Sequence, residues 1–369
     1  MSRRTILFAI PELDSGGPDR VIFELLSGID RTRFDPILAV SRIGGRYFDL
    51  LHGSVTVRQV CDRRYPVRSF ARLVDALAPD LVFTTLRMNV TATAARFLQR
   101  RKPPLIIRQA NAIAADFAVL RQTSIIKHRI AEHVIRALYR RADVVVAQSP
   151  DMAEELARDL GPSQTLTTIG NPVSVDEIIR AADPAMPMAG SPSLIAVGRL
   201  APQKGFDLLL RAFASFRESH PGAVLTILGE GPQRAALENL AAELGITAAV
   251  RMPGHSGEVL RAIAGADLLV SSSRYEGFSN VLLEAMAAGT PVVATMCPGA
   301  TRTLIDDGHT GILVEPGSAD AIALGMARAM KADRPAMANA ARRSIAERFD
   351  RALIVREYES LFDRILAAR

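Results

Sequence analysis

Residues 271–293 have the sequence SSSRYEGFSNVLLEAMAAGTPVV, which indicates both a fold class and the position of a site. The apolar run at Leu268–Ser271 predicts a buried parallel strand, and residues 281–288 predict a helix. Glu276 therefore follows the carboxyl end of a strand, where open α/β sheets bind their ligands. Glu284 lies on the next helix. The two glutamates flank a strand-to-helix turn, and the N–H groups that begin such a helix favour an anion.

The rest of the chain alternates between strand-like and helical runs, which predicts parallel sheets covered by helices. Residues 181–192 are rich in Pro, Ala and Gly and lack periodicity, so we interpret them as a linker. The prediction is an α/β protein with two doubly wound, Rossmann-like domains, at residues 1–180 and 193–352. The predicted strands are residues 5–10, 36–40, 81–85, 105–108 and 144–148, then 194–197, 224–228, 268–271, 292–295 and 311–314.

Composition narrows the class of protein. The chain has 369 residues, of which 49% are hydrophobic, and this length suits two domains. No apolar run reaches the roughly 18 residues that span a bilayer, and Pro11 and Glu12 interrupt the first apolar segment, so we predict neither a transmembrane helix nor a signal peptide. Cys61 and Cys297 lie in different halves, without metal-binding or redox spacing. These features predict a location in the reducing cytoplasm.

The two halves of the chain differ in charge. Residues 1–170 carry 25 Lys and Arg against 17 Asp and Glu, whereas the remainder carries 20 against 22. Nucleic acid is not predicted as a partner, because the sequence has no recognition motif and no aromatic residues interleaved with basic ones for base stacking. A basic first half suits an anionic membrane surface or a polyanionic, lipid-linked acceptor.

Two basic residues follow the strand predicted at residues 194–197. Arg199 lies in a Gly198-Arg199-Leu200 turn, and Lys204 precedes a glycine and a predicted helix. Cations five residues apart on one loop can converge on a single dianion, and fixed cations stabilise the negative charge that develops on a departing phosphate. The alternative is a solvated basic loop, since Arg and Lys are common on protein surfaces.

Two glycine-rich turns also follow predicted strands. Gly229-Glu230-Gly231 imitates a dinucleotide-binding fingerprint, but the third glycine is missing and no acidic residue ends the next strand, at residues 249–252. A nicotinamide cofactor is therefore not predicted. Gly16 and Gly17 precede the first helix, where their small size lets a ligand approach the backbone. A plain strand-to-helix turn is the alternative for this pair.

These motifs resemble those of the retaining GT-B glycosyltransferases of family 4 (glycosyl transferases group 1), which transfer sugars from nucleotide-diphosphate donors. The resemblance rests on the E-x7-E pair and on the G-R-L…K-G segment. It is weaker at the loop after the first strand, where Pro18 and Asp19 replace commoner residues. It implies the GT-B architecture, in which two Rossmann-like domains face each other across a cleft and the last helix, at residues 353–369, returns to the first domain.

The resemblance implies a role for each site residue. Glu276 would bind hydroxyls of the donor sugar, and Glu284 would bind the ribose hydroxyls. Arg199 and Lys204 would bind the diphosphate, and with Glu276 they would form the catalytic set. The implied donor-binding residues are Gly16, Gly17, Gly198, Arg199, Lys204, Gly229, Gly231, Arg251, Met252, Glu276, Gly277, Phe278, Ser279, Asn280, Val281, Leu282 and Glu284.

The chain departs from the family where many relatives carry a histidine beside the reacting carbon. Here the sequence after the strand is Arg108-Gln109-Ala110-Asn111, and the resemblance makes Arg108, Asn111 and Asp19 contacts for the acceptor or the donor. No histidine lies in a motif, and the sequence has neither a metal-ligand cluster nor an Asp-x-Asp pair for a magnesium-bound diphosphate. We therefore predict no metal and no other cofactor.

Residues 121–141 predict an amphipathic, basic helix. Its basic residues include Lys127, Arg129, Arg136 and Arg140. Such a helix can lie on an anionic membrane leaflet, which would make the protein peripheral on the cytoplasmic face of the inner membrane. The alternative is a helix that packs its apolar stripe on the core and exposes its basic face to water.

The predicted function is a retaining, metal-independent transfer of a hexosyl unit from a UDP- or GDP-type donor to a sugar hydroxyl of a glycan or lipid-linked acceptor. One alternative is a nucleotide-sugar epimerase of GT-B architecture, which would need acid–base groups at the anomeric carbon that the sequence does not show. The other is a catalytically silent protein that binds sugar nucleotides.

Overall fold

The structure is a computed structural model that describes residues 3–14, 16–51, 53–61, 63–110 and 125–368, with the backbone alone at residues 125–129. The chain forms two compact units. The first comprises Met1–Pro172 and Arg351–Arg369, and the second comprises Val173–Asp350. The C-terminal residues thus group with the N-terminal unit.

The boundary between the units differs from the linker predicted at residues 181–192. The chain leaves the first unit after Pro172, and the predicted linker lies on the second unit. There the Met186 N–H donates to the carbonyl of Arg261, and the Ser191 N–H donates to the carbonyl of Gly222, both at 2.9 Å. Composition predicted irregular backbone but not its packing, because an irregular segment can still bond to a neighbouring loop.

The first unit contains a seven-stranded sheet with strand order β3-β2-β1-β4-β5-β6-β7 and parallel pairing throughout. Its strands are β1 (Arg4–Ile10), β2 (Phe34–Val40), β3 (Thr56–Gln59), β4 (Leu81–Thr85), β5 (Leu105–Arg108), β6 (Val144–Ala147) and β7 (Leu166–Thr168). Its helices are α1 (Gly17–Gly28), α2 (Arg46–Leu51), α3 (Val67–Leu77), α4 (Met88–Ala95), α5 (Ile125–Tyr139), α6 (Pro150–Leu160) and α15 (Arg351–Ala367).

The second unit contains a six-stranded parallel sheet with strand order β10-β9-β8-β11-β12-β13. Its strands are β8 (Ser193–Val197), β9 (Val224–Leu228), β10 (Val250–Gly254), β11 (Leu268–Ser271), β12 (Val292–Thr295) and β13 (Ile312–Val314). Its helices are α7 (Val175–Ala182), α8 (Phe206–Ser219), α9 (Arg234–Glu243), α10 (Val259–Ala264), α11 (Asn280–Ala288), α12 (Thr301–Leu304), α13 (Ala319–Lys331) and α14 (Arg334–Phe349), with 3-10 helices at Pro202–Lys204 and Thr247–Ala249.

Each sheet is stabilised by apolar strand residues that pack against the surrounding helices. In the second unit, Leu194 and Ala196 of β8 and Leu225 and Ile227 of β9 pack into one cluster with α8 and α13. In the first unit, α15 lies on the sheet because Phe362 packs edge-on against Phe8 and Phe83 of the central strands. Each buried Phe removes enough apolar surface from water to contribute about 1.5–3 kcal/mol. The prediction of two doubly wound parallel sheets is confirmed.

Two strands of the first sheet were not predicted: β3 and β7. Both are short strands at an edge of the sheet, and most of their residues are partly exposed. A strand with one neighbour and little burial needs no long apolar run, so its sequence carries a weak signal.

In both sheets the strand order reverses at one point. This point lies between β1 and β4 in the first unit and between β8 and β11 in the second. The loops that leave two such strands diverge and open a crevice at the carboxyl edge of the sheet, where ligands bind in folds of this class. The motifs at residues 198–205 and 272–279 lie on the two loops that border the crevice of the second sheet.

Candidate functional site

Lys204 and Glu276 meet at the crevice of the second sheet, although 72 residues separate them. Lys204 Nζ lies 2.5 Å from Glu276 Oε1, and the Ser273 hydroxyl donates to the same oxygen at 2.6 Å. The side chains are 20% and 9% exposed, respectively. A charge-assisted pair in such a sheltered place is stronger than one in bulk water. The pair fixes one carboxylate oxygen of Glu276 at the mouth of the crevice.

Side-chain hydroxyls hold the two loops that carry this pair in place. The Ser272 hydroxyl donates to the carbonyl of Lys204 at 2.8 Å, and the Thr295 hydroxyl of β12 donates to the carbonyl of Ser273 at 2.6 Å. Gly205 has a φ of +62°, and a Cβ there would lie 2.2 Å from the Ser272 carbonyl oxygen. Only glycine fits this contact, so the K-G dipeptide follows from the closeness of the loops.

A second ion pair, between Arg274 and Asp207, joins the Glu276 loop to helix α8. Arg274 donates through both terminal nitrogens to the carboxylate of Asp207, at 2.8 and 2.7 Å, and also to the carbonyl of Pro202 at 2.8 Å. The hydrogen bond from Arg274 lowers the pKa of Asp207, and the same bond raises the pKa of the guanidinium. Arg274 thereby joins the segment before Glu276 to the start of α8.

Helix α11 begins immediately after the Glu276 loop. Phe278 is buried against Phe349, edge to face, with ring centroids 5.6 Å apart. The first N–H groups of a helix have no acceptor within the helix, so its first turn is a ready donor of hydrogen bonds to an anion. Glu284 lies one turn further along and is half-buried. The helix therefore carries the turn predicted to bind the diphosphate and the second glutamate on one rigid element.

The loop of Arg199 contacts the glycine turn after β9. A Cβ at Gly229 would lie 2.0 Å from the Gly198 carbonyl oxygen, and one at Gly231 would lie 2.4 Å from the Leu200 carbonyl oxygen. These two glycines are thus explained by close backbone packing between loops. Leu200 is buried, whereas the side chain of Arg199 is exposed at the end of β8. Among the described residues no hydrogen bond or ion pair joins Arg199 to the Lys204–Glu276 pair.

The segment predicted to border the donor base, residues 251–252, lies on β10, which pairs with β9. Arg234 on α9 binds the carboxylate of Glu230 at 2.9 and 2.5 Å and the carbonyl of Met252 at 3.0 Å. The hydrogen bond from Arg234 lowers the pKa of Glu230. Arg251 is exposed, and Met252 is half-buried. Arg234 was not predicted, yet it holds the turn after β9 to strand β10.

In the first unit, Asp19 organises its own loop. Its Oδ2 accepts from the N–H groups of Asp14 and Gly16, at 3.2 and 3.1 Å. Burial raises the pKa of this carboxyl, and the two backbone hydrogen bonds partly oppose that change. Gly16 and Gly17 are exposed at the start of α1. The Asp19 side chain thus holds the turn that presents them.

Arg108, which was predicted to contact the acceptor or the donor, lies in the interior of the first unit. Its side chain is 1% exposed, and Nη2 donates to Asn171 Oδ1 at 2.5 Å. Burial lowers the pKa of the guanidinium, and the nearby Tyr358 partly opposes this change. The bond to Asn171 gives the guanidinium a partner inside the unit, so we expect Arg108 to contribute to stability. Asn111 lies outside the described residues.

Two arginines of the basic helix α5 that were predicted to face a membrane instead bind other parts of the protein. Arg136 pairs with Asp159 at 2.9 Å, and Arg140 Nε donates to the carbonyl of Leu160 at 2.8 Å, so both bind the end of α6. The side chains of Lys127 and Arg129 lie outside the described part of the chain. The helical prediction holds where the backbone is described, but the free basic face does not include Arg136 or Arg140.

The described residues contain neither a membrane-spanning helix nor a cluster suited to a metal ion. No helix there has the length and apolar character that crossing a bilayer requires. No group of three or more His, Cys, Asp or Glu side chains in that part of the chain is arranged to hold a metal ion.

Sequence reasoning missed Ser273 and Arg274. Ser273 lies three residues before Glu276, and that short spacing could have identified it as a partner of the carboxylate. No local signal links Arg274 to Asp207, since 67 residues separate them. Pairs of this kind become visible only when the two loops are placed side by side.

Two family models match the chain and together cover most of it. The model described as "Glycosyl transferases group 1" matches residues 187–346, and the one described as "Glycosyl transferase 4-like domain" matches residues 16–172. These ranges correspond closely to the two compact units.

Individual proteins agree with the family models. The chain is 33% identical over 61% of its length to the lipopolysaccharide core biosynthesis glycosyltransferase LpsE of Rhizobium meliloti, and it spans 64% of that relative and about half the length of several others. It is 27% identical over 78% of its length to the N-acetylgalactosamine-N,N'-diacetylbacillosaminyl-diphospho-undecaprenol 4-alpha-N-acetylgalactosaminyltransferase of Campylobacter jejuni, of which it spans 77%.

A solved structure shows the same fold over nearly the whole chain. The crystal structure of Anabaena Alr3699/HepE in complex with UDP-glucose superposes with a TM-score of 0.79 at 20% identity, covering 99% of this chain and 100% of that one. The matched family models, the two doubly wound sheets and this likeness agree. The chain belongs to the group 1 glycosyltransferase family and has the GT-B fold.

Proposed function

We propose that the protein is a retaining glycosyltransferase that moves a hexosyl unit from a UDP- or GDP-type donor to a sugar hydroxyl of a glycan or lipid-linked acceptor, without a metal. One observation carries the proposal: Lys204 Nζ and Glu276 Oε1 lie 2.5 Å apart at the switch point of the second sheet. The bond that breaks joins a sugar to a phosphate. A group that binds sugar hydroxyls and a group that binds phosphate must therefore converge, as this carboxylate and this ammonium do.

The proposed chemistry needs no protein nucleophile. The bond between the anomeric carbon and the diphosphate oxygen breaks, and the acceptor oxygen bonds to that carbon from the same face. The proton of the acceptor hydroxyl passes to the departing diphosphate. Negative charge grows on the diphosphate as the bond breaks, so Lys204 and Arg199 stabilise the transition state more than the bound donor. Because two fixed cations do this, the reaction proceeds without a divalent ion.

The other residues hold the donor in place. The first turn of α11, at Asn280, Val281 and Leu282, directs backbone N–H groups to the diphosphate. Glu284 binds the ribose hydroxyls, and Glu276 binds hydroxyls of the transferred sugar. Ser273 and Lys204 hold Oε1 of Glu276 in a fixed position, which reduces the entropy lost when the sugar binds.

The acceptor is assigned to the basic first half of the chain. Residues 1–170 carry eight more basic than acidic residues, which suits an acceptor that is anionic or embedded in an anionic leaflet. The names of the two relatives refer to lipopolysaccharide core synthesis and to a diphospho-undecaprenol acceptor. We propose that the enzyme is peripheral on the cytoplasmic face of the inner membrane, where substrates of these kinds reside.

A panel of sugar nucleotides tests the proposal. A donor present at about 100 times its Kd stabilises the folded protein by about 2.7 kcal/mol, which thermal unfolding detects. The stabilising donor is then incubated with glycan and lipid-linked acceptors, and the anomeric configuration of the product is read by NMR. Product should form with retained configuration and in excess EDTA.

Three outcomes would count against the proposal. Inverted configuration would remove the retaining assignment, and loss of activity on chelation with recovery on adding magnesium would remove metal independence. Conversion of the donor to an epimer without any acceptor would favour the epimerase instead.

A further inference from the structure

An apolar cavity lies in the first unit, beneath helix α2. It has a volume of about 330 Å³ and is lined by Leu38, Ile43, Phe48, Leu51, Gly53, Val55 and Val57. The six lining side chains are hydrocarbons, and Gly53 contributes backbone only. A volume of this size lies at the lower end of the range for sites that bind small molecules, which are mostly apolar.

The lining lies on β2, on β3, on helix α2 and on the loops between them. Ile43 follows the carboxyl end of β2, and α2 follows Ile43. The start of α2 is bonded to the turn after β1, since the N–H groups of Tyr47 and Phe48 donate to the carbonyls of Asp14 and Leu13 at 3.1 and 3.0 Å. The helix that covers the cavity is therefore tied to the turn that leads into residues 16–17.

Water is a poor occupant for such a cavity. An internal water needs two to four polar partners, and the lining side chains provide none. Ile43 on the rim is 52% exposed, although it is a large apolar residue. Exposed apolar surface beside an apolar cavity is typical of a site that a partner covers.

The segment that supplies most of the cavity lining is strongly basic in sequence. Residues 42–68 contain six arginines against two aspartates, and all six arginines are exposed. They are Arg42, Arg46, Arg58, Arg63, Arg64 and Arg68. Arg42 pairs with Glu12, and among the described residues no carboxylate lies within ion-pair distance of the other five. Exposed arginines close in sequence to apolar lining residues, such as Arg58 beside Val57 and Arg46 before Phe48, complement a ligand that joins a hydrocarbon chain to an anion.

We infer that this cavity binds the hydrocarbon chain of a lipid-linked acceptor, and that the surrounding arginines bind its phosphate or diphosphate. The inference rests on the proposed function, because the lipid that would occupy the cavity is that of the proposed acceptor. The hydrocarbon chain of the acceptor enters between α2 and β3, and its phosphate lies among the arginines of residues 42–68. The sugar extends toward the turn at residues 16–17. One acceptor molecule occupies one site in each protein chain.

Dodecyl phosphate is a probe for this site, because it joins a hydrocarbon chain to a phosphate. Its binding to the full chain is measured by calorimetry below its micelle-forming concentration, with dodecyl maltoside and inorganic phosphate as comparison ligands. We expect saturable binding of one dodecyl phosphate, weaker binding of the maltoside, and no competition by inorganic phosphate at similar concentrations.

Two variants obstruct the cavity in different ways. Ile43→Asp places a carboxylate at its rim and should weaken binding of dodecyl phosphate at least about tenfold, since an apolar chain cannot solvate the charge. Val57→Trp reduces the space from edge strand β3 and should weaken binding without changing charge. The matched control is Leu50→Asp, because Leu50 is 62% exposed on helix α2, which lies over the cavity, but does not itself line the cavity. It should retain nearly full affinity.

The outcomes separate this inference from the proposed function. Equal affinities in Ile43→Asp and Leu50→Asp, or equal binding of the maltoside and the phosphate, would overturn the inference. Unchanged affinity in Val57→Trp would overturn it as well. In every variant, donor binding to the second unit should be unchanged, and a circular dichroism spectrum and melting temperature that match those of the original chain show that the first unit is folded. Failure to bind any sugar nucleotide, by contrast, would count against the proposed function.

Discussion

The two units share one architecture but use their charged residues differently. In the second unit, Lys204 meets Glu276 at the crevice with 20% of the Lys204 side chain exposed. In the first unit, Arg108 is 1% exposed and turns inward to Asn171. A partly exposed charge can exchange a protein partner for a ligand at small cost, whereas a buried charge cannot. The same strand-end position thus supports a candidate binding role in one unit and a structural role in the other.

The largest expected effect follows removal of the cations in the second unit. Lys204→Ala and Arg199→Ala should each lower turnover by roughly 10²- to 10³-fold, because each removes a fixed charge that stabilises the departing diphosphate. Turnover is measured under saturating donor, alongside the melting temperature. Lys331→Ala is the control, since Lys331 is exposed at the end of α13, away from the crevice. Near-normal turnover in either variant would exclude that residue from the site.

Substitution of the two glutamates should affect different steps, nucleotide binding for Glu284 and sugar transfer for Glu276. Glu284→Ala should weaken binding of the nucleotide by about ten- to a hundredfold, because hydrogen bonds to a charged group contribute about 1.5–3 kcal/mol. Glu276→Ala should leave the affinity for the nucleotide within about threefold and reduce the rate or the sugar selectivity. Isothermal titration with the free nucleotide and rates with the full donor distinguish the two effects. The reverse pattern would exchange the two assignments.

In the first unit, Arg108 should affect stability before it affects acceptor binding. Arg108→Ala leaves a cavity and removes the bond to Asn171, so we expect a loss of about 2–5 kcal/mol in the free energy of unfolding. Arg108→Met keeps most of the volume and should lose less than half as much, because replacing a buried charge by an apolar side chain of similar size is often nearly neutral. Urea unfolding measures both.

The KM of Arg108→Met for the acceptor tests whether Arg108 has a structural role and not a binding role. We expect it to match that of the original chain. A large rise in KM without a loss of stability would return Arg108 to the acceptor site.

The smallest effect concerns the ion pair between Arg274 and Asp207. Arg274 lowers the pKa of Asp207 in the folded state, so the pair stabilises the fold above the unfolded pKa, near 3.9. That contribution is lost as the pH falls through the lower, folded value. Since both side chains are about one-third exposed, Asp207→Asn should cost at most about 1 kcal/mol at pH 7.

The difference in unfolding free energy between Asp207→Asn and the original chain should shrink below about pH 4. Urea unfolding at pH 7, 5, 4 and 3 provides the measurement. A difference that persists undiminished at pH 3 would show that the pair acts through geometry and not through its charge.

Much of the fold could be predicted from local patterns. The apolar runs of β1, β4, β5, β8, β9, β11 and β12 were recognised because buried parallel strands must be apolar throughout. The edge strands β3 and β7 were missed because they bury little. The linker was misplaced because segment 181–192 packs through backbone bonds to Arg261 and Gly222, which composition does not encode.

The candidate site divides in the same way. The spacing of Glu276 and Glu284, the G-R-L…K-G segment and the glycine turns are local, so the sequence by itself determined which residues stand at the ends of the strands. The reversal of strand order between β8 and β11 brought Lys204 to Glu276, and it placed Arg274 on Asp207. Burial decided the rest, enclosing Arg108 and leaving Arg199 exposed. Hydrophobic periodicity is a property of neighbours along the chain, whereas contact and burial depend on which strands lie side by side, and only the tertiary structure decided that.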